Sequence, residues 1–170
     1  GEAGAGTSSD NPAHDPLRLG DWSGGQCYRI ILSFNTSTIP ENYTIQAVRL
    51  QMTRSTLDNQ DPFGWGGVCN IDIANPSFDN VALEASDWQA TADASAVATF
   101  TADPGEDNVM TSSNFNTAGR ANINRAGTTQ IKVYFTELTN GDATKDFLAF
   151  YSGEAVQTKQ PRLIIECSAN

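Results

Sequence analysis

The chain has 170 residues, enough for one domain with a sizeable core, and a formal net charge of −10 with a pI of about 4.3. This acidity argues against nucleic acid as a partner, and no apolar run approaches the roughly 20 residues that a membrane-inserted helix needs. The composition is rich in Thr, Ser, Asn and Gly and only 18% charged, which favours strands and turns over helices.

The first segment differs in composition from the rest of the chain. Its opening "GEAGAGTSSDNPAHDP" is small, polar and turn-prone, and "LRLGDW" follows it. We expect residues 1–25 to form an extended N-terminal tail, with a single domain over residues 26–170. A disordered leader is the alternative. The chain opens on Gly1 rather than Met, which fits either a mature, processed product or a chain that was cut artificially.

The body of the chain alternates between apolar and polar residues with a period of two, the pattern of half-buried strands. The alternating or apolar runs are "CYRIILSF", "AVRLQMTR", "VCNIDI", "QIKVYF", "FLAFY" and "RLIIEC". Turn residues separate them, for example at Pro40, Asn75-Pro76 and Asn140-Gly141. These runs predict at least six strands.

Two segments have a more helical composition. "EASDWQATADASAVATF" is rich in Ala, with Ser86 or Asp87 as the expected N-cap, and "NFNTAGRANINRAG" predicts a short helix that ends near Gly127. Many strands with one or two short helices predict an all-β fold in which two antiparallel sheets pack face to face.

Several of these motifs, taken in order, resemble the DNRLRE family of extracellular β-sandwich modules, some of which are classed as carbohydrate-binding modules. The similarity spans Tyr28 to Glu166, and its most specific pieces are "SFNTSTIP", "DFLAFYSGEA" and "PRLIIE". The resemblance implies a jelly-roll sandwich, secretion to the cell surface, and a binding or structural role rather than catalysis. It leaves the ligand open.

The chain has three cysteines, Cys27, Cys69 and Cys167, and none lies in a CxxC pair of the kind that binds zinc. The first and last core strands of a jelly roll are often neighbours, so the resemblance implies a Cys27–Cys167 disulfide. Strict alternation places these two on different faces, and a bulge would be needed to reconcile them. A Cys69–Cys167 bond and three unbonded thiols are the alternatives.

The sequence contains no convincing catalytic set, and we expect no enzyme activity. His14 is the single histidine and lies in the Gly- and Pro-rich tail, a poor platform for a general base. Asp103, Glu106 and Asp107 cluster in "ADPGEDN" and are candidate calcium ligands, because calcium binds hard oxygens. Ordinary solvated acidic turns are the alternative.

Two aromatic residues, Phe63 and Trp65, lie in the Gly-rich loop "DPFGWGG". Exposed rings there would stack on a sugar or anchor an interface, whereas buried rings would cap the core. Asn35 and Asn42 begin N-glycosylation sequons, a weak signal in a chain rich in Asn and Thr.

Two functions fit these observations. The first is a subunit of an extracellular filament or sheath, in which Leu17, Leu19 and Trp22 of the tail add a strand to the sandwich edge of an identical neighbour. The second is a carbohydrate-binding module that holds a polysaccharide on a sheet face or on loop aromatics such as Trp65.

Overall fold

The computed structural model describes residues 16–23 and 25–170, which form a β-sandwich with very little helix. The strands are β1 (Leu17–Trp22), β2 (Gln26–Tyr28), β3 (Ile30–Asn35), β4 (Tyr43–Asp58), β5 (Cys69–Ala74), β6 (Ala94–Phe100), β7 (Val109–Thr111), β8 (Thr128–Phe135), β9 (Asp146–Phe150) and β10 (Arg162–Ala169). One α-helix, α1 (Thr117–Ala121), and two 3₁₀ helices, Pro62–Gly64 and Ala85–Trp88, lie in the connections.

The strands form two antiparallel sheets, which confirms the predicted fold class. One sheet contains β1, β2, β4, β7, β9 and β10, and the other has the order β3-β8-β5-β6. In the first sheet β1 pairs with β9, β9 with β4, and β4 with β7. The strand order β1-β9-β4-β7 in the first sheet, together with the order β3-β8-β5-β6 in the second, is the strand arrangement of a jelly roll.

The period-two pattern places alternate side chains between the sheets. Leu50 and Met52 of β4, Ile71 and Ile73 of β5, and Ile131 of β8 are fully buried there. Burial of an aliphatic side chain of this size stabilises a fold by about 1.5–3 kcal/mol. The inward-facing positions of the predicted strands therefore form the core.

The helical content is smaller than predicted. The Ala-rich segment gives only the 3₁₀ turn Ala85–Trp88, because residues 94–100 pair with β5 as β6 and bury Val97 and Phe100. This packing outweighs the helix propensity of the segment. Among residues 16–23 and 25–170, no helix is long and apolar enough to span a bilayer.

Helix α1 is also shorter than predicted. Asn116 caps it by accepting a hydrogen bond from Gly119 N, and it ends at Ala121 rather than near Gly127. Beyond the helix the chain turns, because Asn124 donates its backbone N–H to Thr129 Oγ1 and its side-chain amide to Thr128 O.

The sandwich begins at Leu17, earlier than the predicted boundary at residue 26. Strand β1 pairs with β9 on one side, Leu19 lying opposite Leu148, and with β2 on the other. Leu19 is 0% exposed, so the "LRLGDW" segment belongs to the core of its own chain.

Strand β4 is 16 residues long and binds two strands along one edge. Tyr151 N, at the end of β9, donates to Thr53 O, whereas Ser112 N and Phe115 N donate to the carbonyls of Leu50 and Val48 on the opposite edge. Strand β10 pairs with the stretch of β4 that contains Val48 and Leu50, whose carbonyls are already occupied on that opposite edge. It therefore lies on the other edge of β4, the one that β9 occupies further along. The chain leaves the sheet between them, over residues 151–161.

Gly20 allows β1 to approach β9 closely. Its φ of +132° is rarely adopted by other residues, and an added Cβ would lie against Asp146 O and 2.8 Å from Phe147 Cα. We predict that Gly20→Ala lowers the free energy of unfolding by about 2 kcal/mol or more, measured by urea denaturation.

Gly153→Ala is the matched control, because its Cβ would meet nothing within 4 Å and its φ is not in the positive range. It should change stability little. Equal stability of the Gly20→Ala and wild-type proteins would contradict the pairing of β1 with its own β9.

Candidate functional site

One side of the sandwich is closed by the chain that follows β7. Ser112 N and Phe115 N donate to carbonyls of β4, while Ser113 N and Asn116 N donate to Thr99 O and Val97 O of β6. Residues 112–116 therefore join the two sheets at this border and seal the core.

On the opposite side of the sandwich, residues 16–23 and 25–170 leave the border open. Its border strands are β10 in one sheet and β3 in the other, and within the described part of the chain no strand pairs with the outer edge of either. Four apolar side chains of these strands pack against the core but remain half-buried, namely Leu32, Phe34, Leu163 and Ile165. We call this open side, lined by these four residues, the β3–β10 seam.

The outer edge of β10 carries backbone groups that no strand of the described residues pairs with. Arg162 and Ile164 face Gln51 and Arg49, the β4 residues whose N–H and C=O groups point towards β10. Backbone groups alternate in direction along a strand, so those of Leu163 and Ile165 point away from β4. The seam thus combines hydrogen-bonding capacity with uncovered apolar surface.

The predicted interface residues of the tail lie in their own domain. Leu19 is fully buried, and Leu17 lies opposite Phe150 of β9. The Trp22 ring stacks on Phe147, with a centroid separation of 6.5 Å. Leu17, Leu19 and Trp22 are therefore engaged within the chain, and a strand donated to a neighbour would have to come from elsewhere.

The predicted disulfides are not formed. In the described part of the chain, Cys69 is a buried free thiol and Cys167 an exposed one, so neither the Cys27–Cys167 nor the Cys69–Cys167 bond is present. Cys27 lies opposite Asp21 on β1, whereas Cys167 lies opposite Ile45 on β4. Strands β1 and β9 separate β2 from β4, so Cys27 and Cys167 do not share an edge.

The predicted calcium ligands do not assemble into a metal site. Asp103 binds the Arg54 guanidinium at 2.8 Å, and Asp107 accepts hydrogen bonds from Lys159 Nζ at 2.6 Å and from Tyr151 Oη. These bonds lower the pKa of Asp107. Glu106 is exposed, and the described residues contain no group of three or more His, Cys, Asp or Glu side chains placed to hold a metal ion.

The loop aromatics are half-buried rather than exposed. Phe63 packs edge to face against Phe135, with ring centroids 5.1 Å apart, and so caps this end of the core. Trp65 Nε1 is buried and has no hydrogen-bond partner among the described residues. The two sequon residues, Asn35 and Asn42, are exposed.

Sequence reasoning missed a buried polar cluster on the outer face of the β3-β8-β5-β6 sheet. The loop at residues 75–93 covers this face and is tied to it by Gln130, whose side chain accepts from Phe78 N, and by Lys132, whose Nζ donates to Ala90 O at 3.0 Å. Arg29 donates to Trp88 O and lies 4.4 Å from that indole ring.

This cluster buries several charges. Lys132 is 3% exposed, and Asp87 is 0% exposed with Oδ1 unpartnered among the described residues. Burial, together with the nearby Arg29 charge, lowers the pKa of Lys132 from 10.5 to about 8, while the charges of Asp72 and Asp87 oppose this shift. The alternation of "QIKVYF" assigned Lys132 to the outer face but could not show that a loop covers it.

A scan against protein-family models gives no match to this chain, and a search of curated proteins gives none either. The resemblance to the DNRLRE family therefore stays a prediction that rests on the quoted motifs.

The depressed pKa of Lys132 predicts a pH dependence of stability. Between pH 8 and 10.5 the unfolded chain holds the lysine proton more tightly than the folded protein, so this residue adds stability as pH rises through that window. Relative to Lys132→Met, wild-type stability should rise by at most about 1.4 kcal/mol per pH unit.

The measurement is urea denaturation of both proteins at several pH values. The comparison with Lys132→Met cancels the opposite trend of Cys69, whose pKa burial raises to about 12. A stability difference that stays flat from pH 7 to pH 10 would show that Lys132 is solvated.

Proposed function

We propose that this protein is a structural subunit of an extracellular, cell-surface filament or sheath, and that identical subunits assemble through the N-terminal tail and the edge of the sandwich. The single observation that carries the proposal is the open border strand β10, which has eight residues and one strand partner among those described. Secretion to the cell surface is supported by the family resemblance alone.

Open edge strands favour association. A row of unpaired N–H and C=O groups is a template for another strand, and monomeric proteins usually block it with inward charges, proline or a covering loop. Strand β10 carries Leu163 and Ile165 at its inward positions, and Glu166 is neutralised by Arg49. No inward charge therefore protects the stretch at Leu163 and Ile165, and a bulge of β10 lies beyond this stretch, between Glu166 and Cys167.

The described aromatic and sheet surfaces support a polysaccharide-binding role less well. Phe63 packs on Phe135 rather than presenting its ring to solvent, and the loop at residues 75–93 occupies the outer face of the second sheet. A polysaccharide ligand remains the second candidate on the family resemblance.

An inward charge on β10 tests the proposal. Leu163 is half-buried at the open border, so a lysine there can keep its ammonium in water while obstructing an incoming strand. We predict that Leu163→Lys stays a folded monomer by circular dichroism and forms no polymers under electron microscopy, whereas the wild-type protein does.

Val109→Lys is the matched control, because Val109 is 49% exposed on β7 at the other border of the same sheet. It should assemble like the wild type. A wild-type protein that stays monomeric at every concentration and salt condition tried would refute the proposed function, as would polymers that form equally well from Leu163→Lys.

A further inference from the structure

We propose that the β3–β10 seam binds residues 3–9 of a second copy of this chain as an added strand. This inference rests on the proposed function and names the site and segment through which the subunits would join. The added strand would pair with the outer edge of β10 and cover the half-buried side chains of Leu32, Phe34, Leu163 and Ile165.

The seam offers two kinds of interaction to an extended segment. The outward backbone groups of Leu163 and Ile165 supply hydrogen bonds along the strand, the main source of affinity when a strand adds to a sheet edge. The four apolar side chains supply a strip that alternate side chains of the incoming strand would cover.

Residues 3–9 have a sequence suited to this position. "AGAGTSS" places Ala3, Ala5, Thr7 and Ser9 on one face and Gly4, Gly6 and Ser8 on the other. Every side chain is small, so the segment can enter a slot between two sheets already packed together. It contains no proline, whereas Pro12 and Pro16 follow it.

The strand register favours a second copy over the chain's own tail. Phe150 of β9 lies between Leu17 of β1 and Arg54 of β4. Arg162 lies opposite Gln51, so β10 begins three residues further along β4 than the point where β9 ends. A straight continuation of β1 would thus set residues 7–14 against β10 and would carry most of the "AGAGTSS" segment past the end of β10.

The intervening residues are long enough to reach a neighbour. Residues 10–16 lie between the proposed strand and β1, and seven extended residues span at most about 25 Å. A linker of this reach allows each copy to donate its segment to an adjacent copy. Such a head-to-tail contact propagates instead of closing on itself.

The exposed thiol of Cys167 on β10 allows a direct test with full-length chains. The donor chain carries Ser8→Cys with Cys167→Ser, and the acceptor chain carries a size tag and keeps Cys167. Both carry Cys27→Ser. With Cys69 buried, a donor–acceptor disulfide between Ser8→Cys and Cys167 reports pairing between copies.

Under mild oxidation we expect this heterodimer to form at least about tenfold faster than with a control donor carrying Val81→Cys and Cys167→Ser, since binding raises the local thiol concentration. Val81 is exposed and lies in the loop that covers the other sheet face. Adding Leu163→Lys to the acceptor should reduce the rate to that of the control.

A rate no higher than that of the Val81→Cys control overturns the inference. A second test uses a chain that carries Ser8→Cys and keeps Cys167, mixed with the acceptor. If this chain forms only its own intramolecular disulfide and none with the acceptor, the inference is likewise overturned. Electron microscopy of the same samples separates the two claims: polymers without the crosslink refute the seam and leave the proposed function standing, whereas the absence of polymers refutes both.

Discussion

The architecture depends on one edge of β4 that is shared by β9 and β10. Strand β9 is covered on its other side by β1, which Gly20 brings into close contact with it. Residues 151–161 leave the sheet, and β10 then continues along the same edge of β4. Strand β1, which begins at Leu17 opposite Phe150, does not extend beside β10. Among the described residues the sheet is therefore one strand short beside β10, and Leu163 and Ile165 stay only half-buried there.

The two borders of the sandwich differ for a local reason. On the β7 side, residues 112–116 donate hydrogen bonds alternately to β4 and β6 and bury Phe115, so the core is sealed by the chain's own backbone. On the β10 side, the described residues provide no equivalent segment, and Leu163 and Ile165 stay half-buried. A segment added at this border would complete both the hydrogen bonds and the apolar packing, which is why we locate subunit contact there.

The sequence predicted the strands better than the sites. Alternation in "AVRLQMTR" and "QIKVYF" identified inward residues such as Leu50 and Ile131, because a period of two assigns faces directly. It could not predict that the Ala-rich segment ends in β6, since pairing with β5 overrides helix propensity. Nor could it predict that the strands of Cys27 and Cys167 are not neighbours, because strand order depends on contacts between distant parts of the chain. The same holds for the cationic partners of Asp103 and Asp107 and for the loop that covers Lys132.

Hydrogen exchange at β10 tests the central claim most directly. The account predicts that the backbone amides of Leu163 and Ile165 exchange much faster than those of β9 in dilute monomer, because they point away from β4, and that they become protected in assembled material. Strong protection of both amides in the monomer would contradict the account, because it would mean that the chain already covers its own edge.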